Sequence, residues 1–525
     1  DMDGIVTSSW ALIGYLAPLG LILSAMIAYF KPASAVDKVF QIGRAAAALA
    51  FLFSLAGGAA VFLWGPLVTP TIGFGEIGLS LRLDALSVIM VWLVSLLGLM
   101  LIQFSRNYLD GDARHTRFMA ALYLTAGAVI FFVLSGNLWQ LTFGWVFMSL
   151  ALHQLLTFYK ERRRAMNAAR KKFVVARLGD VLFIIAAVLI GRAFGTADLG
   201  ALSQAASEAF ETGVVPAGVG TAAVLIALAA ALKSAMFPTH GWLLEVMETP
   251  TPVSALLHAG LLNAGTFLVV RLGDLVFLST AALTVLIVIG GFTAIFASSA
   301  MITQSSVKVS LAYSSAAHMG FMLMLCGFGA HSVAIMHLVA HSFYKAHAFL
   351  SSGSIVEYMQ NTRSQKLNTP PRPWLLLTNL GVSLLIFVAI GTALGIELTK
   401  RPGETALGAI FVIAVAHLLV KGSAGISQFY VIGRTALAAV GVTLAFFALE
   451  LTAAFLLGNS VAVFPEPNTF TIGVMIAAVI AFGIVTMLGS LLPSFAHKPA
   501  WRAFYVHLKN GFYANAWFDR LLKIS

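Results

Sequence analysis

The 525-residue chain is 59% hydrophobic and only 10% charged, and its mean hydropathy is +0.92. A soluble domain carries about 25% charged residues, so these figures exclude a soluble globular enzyme and predict an all-α polytopic membrane protein. The net charge of +11 is read as topology signal and attraction to lipid headgroups, not as a nucleic-acid footprint.

Apolar runs of the roughly twenty residues that a bilayer core demands recur along the whole length. They predict about fifteen transmembrane helices, at 9–30, 45–65, 84–104, 117–135, 137–158, 174–193, 218–240, 249–272, 275–300, 307–328, 331–356, 375–396, 405–426, 435–458 and 470–492. The first run has no basic leader and no convincing cleavage site, so it is read as a retained helix. Lys31, Lys38 and Arg44 follow the first run, and Arg106, Arg114 and Arg117 follow the third. The basic stretch "KERRRAMNAARKK" (160–172) follows the fifth, and Arg363, Lys366 and Arg372 follow the eleventh. All of these are odd-to-even connections. The positive-inside rule then places the N-terminus outside and the C-terminus in the cytoplasm, with Lys400 and Arg401 as the main conflict. The loop 194–217, which has no Lys or Arg, and the loop 459–469 fall on the other side. Cys326, the single cysteine, lies in an apolar run and excludes a disulfide framework or a Cys-based metal site.

Several ionisable residues fall inside these runs, where a central charge costs at least ~2.5 kcal/mol. Asp84 opens the third run, either capping a helix or lining a path. His153 lies in the fifth, Asp180 in the sixth, Lys233 in the seventh and His258 in the eighth. His337, His341 and Lys345 lie in the eleventh, and His417 and Lys421 in the thirteenth. The first three are spaced i, i+4, i+8, so they share one face over about three turns of helix, and His417 and Lys421 repeat the i, i+4 step. A line of titratable groups with water between them carries protons through a membrane protein. "FPTHGW" after Lys233 and "HLLVKGSAG" around Lys421 offer helix breaks, which free backbone carbonyls to hold water beside a charge.

The competing readings are blander. A lone membrane histidine is often a packed, hydrogen-bonded residue, and Lys160, Lys308 and Lys400 are placed to snorkel. Histidine pairs at i, i+4 also bind haem or metal, but no carboxylate or thiolate stands beside these at ligand spacing. Charges on this many separate helices favour conduction. No phosphate loop, nucleophile elbow or Cys–His pair is present, so a transporter subunit is expected rather than an enzyme.

"KSAMFPTHGWLLEVMETPTPVSALLHAG", "VKVSLAYSSAAHMGFMLML" and "HLVAHSFYKAHAFLSSGSI" resemble the central signatures of the antiporter-like membrane subunits. That superfamily includes the largest proton-pumping subunit of respiratory complex I, the Mrp sodium/proton antiporter subunits and the DabB branch of inorganic-carbon uptake systems. The resemblance covers residues 80–360 well and continues weakly into "FYVHLKNGFYANAWFDRLL". It implies two inverted five-helix repeats, each with a broken helix, at about 117–240 and 249–396. They would stand between N-terminal helices at 1–116 and, at 397–525, C-terminal helices with a basic cytoplasmic tail. By the same resemblance Lys233 matches the broken-helix lysine, Asp180 the "GD" helix, and His258 the "SALxHA" histidine. His337, His341 and Lys345 match the central "HxxxHxxxK" line. Lys233 then reads as a switching proton carrier whose affinity is set by a carboxylate partner.

The departures narrow the reading. Complex I and Mrp subunits carry a glutamate directly after "GW" on the fifth helix, whereas this chain has Val146, with His153 seven residues on as the expected stand-in. In place of the family's "FSKDE" motif stands "IGTALGIELTKRPGE", leaving Glu397, Lys400 and Lys421 as rival exit groups. With its last residue at 525, the chain is expected to lack the long lateral helix of complex I's largest subunit. A short subunit without the glutamate fits the DabB branch. The resemblance then implies a bacterial inner-membrane protein working with DabA, a soluble zinc protein related to β-carbonic anhydrases, on the cytoplasmic side. DabA would hydrate CO2 to bicarbonate while cation flow, expected to be of protons, drives or gates that step. The zinc would sit wholly in the partner, and no cofactor is expected in this chain. The alternatives are a proton- or sodium-translocating subunit of a complex I-like, Mrp or membrane hydrogenase assembly, and a membrane anchor with a dead pathway.

Overall fold

The computed structural model describes residues 6, 7, 9–352, 373–396, 402–423, 429–464, 466–495 and 497–523. Its helices follow the apolar runs. A 3-10 turn (Ser9–Tyr15) leads into α1 (Leu16–Phe30), followed by α2 (Val36–Trp64), α3 (Ala85–Tyr108), α4 (His115–Val133), α5 (Leu138–Leu156) and α6 (Arg163–Phe194). The central part holds α7 (Leu199–Thr212), α8 (Val219–Lys233), α9 (Gly241–Glu245), α10 (Thr251–Leu256), α11 (Ala264–Arg271) and α12 (Gly273–Phe277). It closes with α13 (Thr280–Ile302), α14 (Val307–Gly327) and α15 (His331–Leu350). Four long helices follow, Pro373–Ala393, Pro402–Ser423, Phe429–Leu457 and Thr469–Phe495, then two short ones, Pro499–Lys509 and Ala514–Leu521. Among the described residues ten helices are long and apolar enough to cross a membrane. The chain is a multi-pass membrane protein. α15 falls outside those ten because it carries four histidines and Lys345.

Polar contacts collect at the two ends of the bundle, as they must where backbone leaves the apolar zone. At the basic end Arg106 meets Asp37 at 2.6 Å, Arg114 meets Glu161 at 3.0 Å, and Thr116 Oγ1 donates to the Lys31 carbonyl at 3.0 Å. At the opposite end the connection between α2 and α3 forms small β elements, with β1 (Val6–Thr7) parallel to β2 (Leu67–Val68) and β2 antiparallel to β5 (Arg82–Leu83). β3 (Ile72–Phe74) and β4 (Ile77–Leu79) make a hairpin. Ser80 N–H donates to Gln140 Oε1 at 2.9 Å, and Asn137 Nδ2 to the Glu76 carbonyl at 3.0 Å.

Three segments differ from the sequence reading. The basic stretch 160–172 is not a loop, because α6 begins at Arg163 and buries Lys171 and Lys172 inside the bundle. The stretch 194–217 is not a plain loop either. It contains α7, whose buried Leu199, Leu202, Ala206 and Ala209 mark a helical face. The run 249–272 is interrupted by a π turn at Leu257–Leu261, a feature that recurs at functional sites. Every residue from Thr251 to Val270 is buried, so this span runs through the interior of the bundle. Gly265 allows its close passage past α8: a Cβ there would lie 2.3 Å from Ser234 Oγ and 2.6 Å from the Ala230 carbonyl oxygen.

Candidate functional site

Lys233 is the last residue of α8, and Ala235 just beyond it takes a left-handed backbone (φ 54°). Pro238 has no N–H to continue a helix and disfavours helical geometry in the residue before it, so the chain turns through 234–240 before α9 resumes. The Lys233 side chain is buried, with Nζ 3.7 Å from Asp180 Oδ1 on α6. It donates to the Trp145 carbonyl at 3.1 Å and lies 4.1 Å from the centre of the Trp145 ring. A cation held over an aromatic face gains attraction that strengthens when water is excluded. The other oxygen of Asp180 is bound by Arg177, one turn back on α6, at 2.6 Å. One carboxylate is therefore shared by two cations. Arginine stays charged in proteins whereas lysine can lose its proton, so Asp180 keeps one partner whichever state Lys233 adopts.

A second cluster lies across α14 and α15. Lys345 is fully buried, and its Nζ donates to the Leu311 carbonyl at 3.0 Å. His318 of α14 reaches between the two α15 histidines: its Nδ1 is 2.9 Å from His337 Nε2, and its ring centre is 5.0 Å from that of His341. The imidazoles thus form a ladder built from two helices. His258, inside the π turn, stacks on Phe349 with ring centres 4.4 Å apart. Among the described residues neither ring nitrogen of His258 or His341 has a hydrogen-bond partner. Buried polar atoms of this kind are where internal water binds. His318 and His337 also line an apolar cavity of about 600 Å³, together with Glu450 of the helix Phe429–Leu457.

Asp84 caps α3, accepting from Ser87 N–H at 2.9 Å, and it is also fully buried against two arginines. Arg271, at the end of α11, binds both its oxygens, and Arg82 Nε lies 2.8 Å away. Asp84 is thus a helix cap, as one of the two sequence readings has it, and part of a structural clamp at the end of the bundle opposite the basic loops.

The structure brings Asp180 to Lys233, and His337 and His341 to His318. It does not bring His153 to Lys233: that ring packs on Phe173 with centres 5.0 Å apart and lines a separate cavity near the basic end. His417 is half-buried on the helix Pro402–Ser423, which continues through Lys421, so the expected break after Lys421 does not begin before Ser423. The Lys421 side chain, Glu397 and Lys400 lie outside the described residues. Sequence reasoning missed Lys172, Arg177, His318 and Glu450. Arg177 stands three residues before Asp180, a spacing that places the two on one helix face. His318 lies within the quoted "AYSSAAHMGFM", but its pairing with α15 is tertiary. Among the described residues no group of three or more His, Cys, Asp or Glu is placed to hold a metal ion.

Comparison with known proteins agrees with this arrangement. Residues 135–396 match the family described as "NADH:quinone oxidoreductase/Mrp antiporter, TM", and residues 71–119 match "NADH-Ubiquinone oxidoreductase (complex I), chain 5 N-terminus". The chain is 36% identical over 452 residues to "Probable inorganic carbon transporter subunit DabB2" of Halothiobacillus neapolitanus, covering 86% of this chain and 81% of that protein. It is 32% identical over 529 residues to "Probable inorganic carbon transporter subunit DabB" of Hydrogenovibrio crunogenus, covering 99% and 95%. A solved Mrp complex from Dietzia sp. DQ12-45-1b has the same fold over 98% of this chain, with a TM-score of 0.61 and 22% identity; this chain spans 60% of the matched chain's length. This chain therefore belongs to the family of antiporter-like, cation-translocating membrane subunits and is of DabB type.

Proposed function

We propose that this chain carries protons across a bacterial inner membrane as the membrane subunit of an inorganic-carbon uptake complex. Its partner is a soluble, zinc-containing DabA-type protein docked at the basic end, which this reading makes cytoplasmic. The partner hydrates CO2 to bicarbonate, and proton movement through this chain powers or gates that step. The chain itself performs no covalent chemistry. The names of its relatives support the carbon-uptake role, and the charge asymmetry of the loops supports the orientation.

The observation that carries the transport reading is Lys233, a buried amine at a helix break, 3.7 Å from a carboxylate that Arg177 also holds. When Lys233 is protonated, Asp180 attracts it. When it is neutral, Arg177 still compensates Asp180, so the carboxylate keeps a cationic partner in either state and only the protonated state carries a net positive charge. The proton passes by way of His258 to Lys345, His341, His318 and His337. It leaves along the C-terminal helices, where His417, Lys421 and Glu397 are the exit candidates. The reading is tested in a bacterial host that lacks its own carbonic anhydrases and is given this chain with the zinc partner. Growth in ambient air should require both proteins and stop when a protonophore collapses the gradient. Growth that persists without the partner, or without the gradient, sinks this reading.

A further inference from the structure

Lys171 and Lys172 are neighbours on α6, and both are buried, at 1% and 5% exposure. Their surroundings differ. Lys171 is matched by carboxylates, with Glu245 at 2.6 Å and Asp519 in direct contact, and it also donates to Asn515 Oδ1 at 3.0 Å. It fastens the C-terminal helix Ala514–Leu521 to α9. About 100° further round the helix, Lys172 donates to the Ser149 carbonyl at 3.0 Å and to Ser149 Oγ at 2.9 Å. Among the described residues its hydrogen-bond partners are these two neutral oxygens alone. A buried ammonium without a carboxylate is a costly arrangement for a purely structural contact.

Ser149 has a position that gives Lys172 a use. Trp145, Ser149 and His153 stand at i, i+4 and i+8 on α5, one above another on the same face. Trp145 receives Lys233, Ser149 receives Lys172, and His153 borders a cavity of about 350 Å³ toward the basic end, where Arg170 and Lys523 also line the wall. The Nδ1 atom of His153 has no hydrogen-bond partner among the described residues. On α6, Lys172 and Asp180 are separated by two turns, about 12 Å, with Ala176 as the small residue between them. Successive rungs on α5 are about 6 Å apart, a gap that one lysine side chain or one water bridges.

We propose that Lys172 is a proton carrier between the His153 cavity and Lys233, filling the access step left open by Val146. This assignment rests on the transport reading above. Lysine can release a proton inside a protein and arginine cannot, so substitutions separate a carrier from a structural contact. The test is uptake of labelled inorganic carbon by cells producing the full chain with its zinc partner, normalised to the assembled complex in the membrane. Lys172→Arg should lower uptake by about tenfold or more. Lys172→His should retain activity within about threefold, and its pH optimum should move down by about a unit or more, because imidazole is half-protonated near 6.5. Wild-type uptake in Lys172→Arg overturns the assignment, as does a Lys172→His variant that is inactive or has an unmoved pH optimum. Lys233→Ala measured in parallel separates the two levels. If it is inactive while Lys172→Arg is fully active, Lys172 is structural and the transport reading stands. If Lys233→Ala itself transports normally, the transport reading fails and takes this assignment with it.

Discussion

Lys233 and Lys345 are both enclosed by helices, yet one faces a carboxylate and the other faces a backbone carbonyl and a set of imidazoles. Around Lys233 the charges are dense: Asp180 is shared with Arg177, and Trp145 supplies a carbonyl and an aromatic face. Around Lys345 the amine has the Leu311 carbonyl and the Tyr344 ring, 5.5 Å away, and His258 and His341 have no hydrogen-bond partner for either ring nitrogen among the described residues. In a low-dielectric interior a fixed opposite charge holds a proton in place, whereas neutral acceptors let it move on. Under the proposed function this difference assigns a division of labour, with gating at the first cluster and conduction along the second. The helix break supports it, because the left-handed turn at Ala235 lies beside the gate while α15 runs unbroken along the ladder.

The largest expected effect removes either amine. Lys233→Ala and Lys345→Ala should each abolish inorganic-carbon uptake while the membrane content of the chain stays normal on an immunoblot. Arg271→Ala should act on a different quantity. It strips a buried, bidentate partner from Asp84, so it should destabilise the bundle by about 3–5 kcal/mol and reduce the amount of folded chain in detergent. An unchanged melting temperature for that variant would remove the clamp from the account. Asp180→Asn comes next. It leaves Arg177 and Lys233 without their shared charge and should slow transport about tenfold, with Lys233 now repelled by Arg177. A similar loss, about tenfold each, is expected for His337→Leu, His341→Leu and His318→Leu, since a relay is limited by any missing rung. If His318→Leu alone were silent, the ladder would reduce to one face of α15. The smallest effect belongs to His153→Gln, less than about threefold, because water in the adjoining cavity can stand in for the ring.

The legible part of this molecule was local. Hydropathy alone located the long helices, and i, i+4 spacing put His337, His341 and Lys345 on one face. A proline after a lysine in an apolar run marked the break in α8. What stayed hidden depended on neighbours distant in sequence. "AARKK" reads as a positive loop until α6 starts at Arg163 and Ser149 of α5 closes over Lys172. His318 reads as one apolar-face histidine until α15 packs beside it. The π turn around His258 has no periodic signature in "SALLHAGLLNAG". His153, the expected stand-in for the fifth-helix glutamate, is set by helical register two turns beyond Trp145, at a cavity wall rather than beside Lys233. By contrast α7 could have been found, since its apolar residues recur at helical spacing in a segment judged only by its lack of basic charge.

The central claim is that a proton is taken up and released at Lys233. Purified complex reconstituted in vesicles, with a pH-sensitive dye inside and an imposed pH gradient, measures that step directly. The Lys233→Arg variant keeps a positive charge opposite Asp180 but cannot give up its proton. Proton flux is expected in the wild type and none above empty vesicles in Lys233→Arg. Flux in Lys233→Arg equal to the wild type would contradict it, because a fixed cation would then serve as well as an exchangeable one.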